Sequence, residues 1–128
     1  QCGGFPYPIL VTAPDRDDSL VMNMAKSISA QFNNFVKAEP SAGGWANDRQ
    51  NFQWVLPYHK GAVAFWKSEG LWSAEDDAHN QNLLKRQSVI ASAWEGMADK
   101  TEDGFKERWM AARFQALTDA GMPAVWEK

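Results

Sequence analysis

The chain has one cysteine, Cys2, two histidines and no long apolar run. A single cysteine closes no internal disulfide, so a cystine-stapled scaffold is excluded and nothing follows about redox compartment. No stretch approaches the roughly 18 apolar residues that a membrane-spanning helix needs. Positive charge is not in excess: the net charge is −3 and the pI about 5.3, which argues against a nucleic-acid binder with its basic surface. Glycine and proline are modest at nine and six, against 45% hydrophobic and 23% charged residues among 128. That composition belongs to a folded protein and excludes collagenous, low-complexity and disordered chains. What is abundant is tryptophan, with seven copies. Trp carries a large apolar area, so several should be buried in a chain this small. Length alone permits one domain and not two independent cores.

The chain opens Gln1-Cys2-Gly3-Gly4, without an initiator Met, a basic leader or an apolar signal segment. It is expected to be a processed protein, an experimental truncation or a fragment. From Phe5 to Thr12 (FPYPILVT) the residues are aromatic and β-branched, bounded by Gly and by Ala13-Pro14. The pattern predicts one short strand, with Ile9, Leu10 and Val11 apolar enough for burial on both faces. A strand needs a partner for its backbone groups, and no second segment has comparable strand character. Asn51 to Pro57 alternates weakly and is the other extended candidate.

The rest is helical. A turn from Pro14 leads into a helix on which Val21, Met24, Ile28, Phe32 and Phe35 recur at spacings of four and three, ending near Ala38. Glu39 to Gln50 has loop composition. A short helix should start at His59 or Lys60 and stop at Gly70, where a left-handed residue is needed. Ser73 caps the next helix, with Glu75, Asp76 and Asp77 in its first turn. Thr101 is expected to cap the last, which Gly121 and Pro123 end. These two helices are long enough to pair as an antiparallel hairpin.

No constellation in the sequence predicts catalysis. His79 lies four residues after Glu75 and three after Asp76, a spacing that could gather a metal, but an acidic first turn is what a solvated helix start requires. Asp15, Asp17 and Asp18 lack the Gly and Glu of a calcium loop. Cys2 has no neighbouring base, there is no Gly-x-Ser-x-Gly elbow, and the Gly-Gly pairs lack the context of phosphate loops. We therefore expect no enzyme, no metal and no cofactor. Phe65, Trp66, Trp94, Trp109 and Phe114 are expected in the core.

Tyr58-His59-Lys60-Gly61-Ala62 concentrates distinctive residue types. His59 at a helix start can cap or bond a neighbouring segment, while Gly61 and Ala62 admit another backbone closely. Phe65 and Trp66 then cover apolar surface, and Gly70 and Trp72 fold the chain back. The reading is a structural docking helix.

Pro57 to Trp72 (PYHKGAVAFWKSEGLW) resembles the closing motif of TAXI-type solute receptors of TRAP transporters, where His-x-Gly-Ala leads into aromatics and a Glu-Gly stop. Lys60 stands where that family often has Pro. Tyr7 to Thr12 resembles the family's late strand, Asp18 to Val36 the following helix, and Glu39-Pro40 with Trp45 a loop. The likeness covers Phe5 to Trp72; Ser73 to Lys128 is similar to the helical extension of longer members, through Ala91 to Trp94 and Ala120 to Trp126.

The resemblance implies a mainly α chain with one or two short strands, forming the C-terminal part of a two-lobed α/β periplasmic-binding-protein (type II) fold. Residues 1–72 would close the binding fold and 73–128 would form a helical-hairpin extension, anchored by Trp66, Trp72, Trp94 and Trp109. The parent protein would lie in the periplasm or otherwise outside the cytoplasm. It would capture a small organic anion, glutamate or a dicarboxylate, and deliver it to a membrane permease by closing its lobes. Most ligand contacts would precede Gln1; Tyr7 and Thr12, near the crossing between lobes, are the candidates in this chain. The alternative is a stand-alone helical interaction module, a homo-oligomer that exchanges the strand Phe5 to Thr12.

Overall fold

The computed structural model describes residues 9–98, 100 and 103–124. It contains four α-helices: α1 (Asp18–Phe35), α2 (Lys60–Ser68), α3 (Ala74–Glu95) and α4 (Phe105–Asp119), with two 3₁₀ turns, Pro40–Trp45 and Asn47–Arg49, between α1 and α2. Among the described residues there is no strand. The mainly α expectation stands and the strand expectation is corrected for Ile9 to Thr12, which are irregular and exposed; Phe5 to Pro8 lie outside the described residues. Leu10 is 53% and Val11 72% exposed. β-Branched composition does not hold a strand without a ladder to pair with, so these backbone groups are left to water. Asn51 to Pro57 forms turns and bends rather than an extended run.

The chain divides into two compact units, Gln1–Asn80 and Gln81–Lys128. The division falls inside α3, beyond the Trp72/Ser73 boundary drawn from the sequence.

In the first unit, Asp17 caps α1 by accepting from the Leu20 amide at 2.9 Å, which satisfies one of the helix's free donors. α1 contains no buried residue, and Leu20 and Met24 are exposed. Its inner face contributes Met22 and Ala25 to a cluster built on Phe65, Trp66 and Trp72. α2 ends in a Schellman turn: Gly70 takes φ 71°, the Leu71 amide donates to Trp66 O and the Gly70 amide to Lys67 O, each at 3.1 Å. Ser73 and Asp76 form a reciprocal capping box at the start of α3. The Asp76 amide donates to Ser73 Oγ at 3.1 Å, and the Ser73 amide to Asp76 Oδ2 at 2.9 Å.

In the second unit, Leu117, Met122 and Ala124 are buried, with Val89, Ile90 and Ala120 packed on them. Trp94 stacks edge-on against Phe105 at 5.5 Å and Trp109 at 5.1 Å. Because Trp94 meets the start of α4 and Ile90 meets Leu117 near its end, the helices run antiparallel. α4 begins at Phe105 after Gly104, which has φ 77° and offers no side-chain cap. Thr101, expected as the cap, lies outside the described residues, and the helix starts four positions later. Gly121 ends α4 in a second Schellman turn, with the Met122 amide donating to Leu117 O at 2.8 Å.

The expected core aromatics divide. Phe65 and Trp66 are buried, Trp109 is half-buried, and Trp94 and Phe114 are exposed at 41% and 38%. Leu117 occupies the centre of the second unit's core, so the Trp94 ring remains at its margin, with the Lys100 ammonium 5.3 Å above it.

Candidate functional site

The sequence-predicted residues converge in the first unit, around the start of α2. His59 has extended backbone angles and caps α2: its Nδ1 accepts from the Gly61 amide at 3.1 Å. An accepting Nδ1 carries no proton, which places the ring proton on Nε2. Two positions on, Gly61 presses against the first turn of α1. A Cβ at Gly61 would sit 2.3 Å from Asp18 O and 3.1 Å from Met22 N. Glycine is required there because the backbone of another helix already occupies the side-chain position. Lys60 Nζ lies 3.0 Å from Asp18 Oδ2, an exposed ion pair worth little by itself. His59 Nε2 is 3.9 Å from Asp18 Oδ1, and both atoms are buried without a hydrogen-bond partner.

Behind this contact lies an aromatic cluster. Phe52 is its hub, with ring centroids 5.6 Å from Tyr58, 5.3 Å from Trp66 and 5.2 Å from Trp72. Tyr58 meets Trp72 at 5.4 Å and Phe65 meets Trp66 at 4.7 Å. These separations and tilts suit the ring quadrupoles. Burial, with the Asp76 charge, pushes the Tyr58 phenol above its ordinary range. Ala62 packs against the same cluster.

Side chains at the start of α3 close the node. The only buried polar residue, among those described, is Asn80: its Oδ1 accepts from the Tyr58 amide at 2.7 Å and its Nδ2 donates to Tyr58 O at 3.4 Å. Asp77 Oδ1 accepts from Trp72 Nε1 at 3.1 Å and pairs with Lys67 Nζ at 2.8 Å. Bonds from Lys67 and Trp72 hold the Asp77 carboxyl below its ordinary range. Burial raises the Asp76 carboxyl, but bonds from Ser73 and Gln53 outweigh it and the net shift is downward. His79 Nε2 donates to Trp54 O at 2.7 Å. No group of three or more His, Cys, Asp or Glu is placed to hold a metal among the described residues.

Phe52, Asp77 and Asn80 were not singled out from the sequence. Phe52 sits in a turn, where periodicity carries no signal. The Asn80 and Asp77 partners lie in other segments, which spacing along one helix does not reveal. Of the two ligand candidates, Tyr7 lies outside the described residues and Thr12 is exposed in the irregular segment. A shallow groove of about 330 Å³ between α1 and the 3₁₀ turns is lined by Ser29, Phe32, Asn33, Ala46, Asn47 and Asp48, none of them a predicted site residue. Chemically, the node holds α1, α2, the start of α3 and the Phe52 turn together.

No protein-family model, no curated protein and no solved structure matches this chain.

Proposed function

We propose that this chain is the C-terminal part of an extracytoplasmic solute-binding protein that delivers a small organic anion, glutamate or a dicarboxylate, to the permease of a TRAP-type transporter. The observation that carries the reading is the contact of Gly61 with the Asp18 and Met22 backbone. The residues of the His-x-Gly-Ala resemblance act together as one packing node, with His59 as the cap and Gly61 as the point of approach. The role of this segment is to brace a lobe; ligand capture belongs to the complete receptor, in which Ile9 to Thr12 join a sheet. The coding sequence upstream of Gln1 tests this. It should encode a signal peptide followed by an α/β chain, and a start codon immediately before Gln1 overturns the proposal.

A second reading, a stand-alone helical module that dimerises by strand exchange, is favoured by one observation. The apolar run Ile9, Leu10 and Val11 is exposed, as are Leu20 and Met24. Light scattering separates the two: the second reading requires a stable dimer whose Leu10→Asp variant is monomeric.

A further inference from the structure

Buried polar groups are almost always hydrogen-bonded, and each exception needs a cause. Among the described residues the exceptions are paired: His59 Nε2 and Asp18 Oδ1 are both sealed from solvent, both without a hydrogen-bond partner, and 3.9 Å apart. The His59 side chain is only 6% exposed, and its other nitrogen holds the Gly61 amide. Nδ1 has one lone pair in the ring plane. It accepts either the Gly61 N–H or a proton, never both.

The charged group that faces the ring is Asp18, whose other carboxylate oxygen pairs with the Lys60 ammonium at 3.0 Å; Lys60 in turn lies near the α1 cap Asp17. Nδ1 lies at the start of α2, and Nε2 faces the Asp18 carboxylate at 3.9 Å. Neutral His59 leaves a donor and an acceptor poised at a distance just too long for a bond. A charged ring has reason to close that gap, because charge-assisted bonds are the strong ones.

We propose that His59 and Asp18 form a proton-operated latch: on protonation His59 releases the Gly61 amide and bonds Asp18, so that α2 exchanges its N-cap for a charged tie to α1. The docking of the two helices then persists in acid on a different bond, and the first turn of α2 loosens.

The test is nuclear magnetic resonance on the complete 128-residue chain between about pH 8 and pH 5. It reads the His59 ring nitrogens and the hydrogen exchange of the Gly61 amide. His59→Asn serves as reference, since Asn caps without titrating. In the native chain both ring nitrogens should become protonated while the protein is folded. Gly61 exchange should then rise roughly tenfold relative to His59→Asn, the scale of losing one cap. Asp18→Asn removes the charged tie, so the same rise should then require a more acidic solution. A His59 ring that stays singly protonated until the chain unfolds overturns the proposal, as does a Gly61 amide that stays protected once the ring is charged. The ring spectra of the native chain decide the first point even where a variant does not fold.

Discussion

Gly61 lies so close to Asp18 that a Cβ added to it would fall 2.3 Å from the Asp18 carbonyl oxygen. The atom in the way is backbone in the first turn of a capped helix, so it cannot swing aside as a side chain would. Gly61→Ala should therefore push α2 off α1 and destabilise the first unit by about 1–3 kcal/mol, the usual cost of overpacking. Urea denaturation checks this. Gly96, whose nearest contact would be 3.6 Å, is the control: Gly96→Ala should show no comparable loss.

Asn80 binds both backbone groups of Tyr58. Asn80→Ala leaves the Tyr58 amide unpaired beneath the aromatic cluster. The expected loss is about 1–3 kcal/mol, the cost of a buried group left without its partner.

Asp77 is held below the ordinary carboxylate range by bonds from Lys67 and Trp72. Its contribution to stability is complete above the unfolded-state value and is lost as pH falls through the lowered folded value. Asp77→Asn should be less stable than the native chain at neutral pH, and the two should converge between about pH 5 and pH 2. Thermal melts across that range follow the gap; a constant difference would contradict the assignment.

Ile9, Leu10 and Val11 are exposed. Leu10→Ala should change the stability of this chain by less than about 0.5 kcal/mol, as at other open surface positions. The burial predicted from composition would instead make the same change cost about 2–5 kcal/mol.

These contrasts show what the sequence discloses. The His59 cap, the Gly70 and Gly121 stops and the Ser73 box were legible because each is a local device, complete within a few residues. The need for Gly61 was legible as a requirement for close approach, though not the identity of α1 as the approaching backbone. The strand was misjudged because Ile9 to Thr12 has the right composition without a ladder. Trp94 was expected inside because a stripe shows which face of a helix is apolar, not how much of that face another element covers. Asn80 escaped because its partner Tyr58 is 22 residues away; Phe52 and Asp77 escaped because they meet their partners across a turn or from another helix, outside the periodicity of any one element.

The most direct test of the proposed role is thermal denaturation with glutamate and with succinate, applied both to this chain and to the complete product of its gene. Ligand at about a hundred times its dissociation constant adds about 2.7 kcal/mol to a protein that contains the whole site. The account predicts a raised Tm for the complete product with at least one of these anions and no shift for the 128-residue chain. A clear shift for the isolated chain, or none for the complete product, would contradict it.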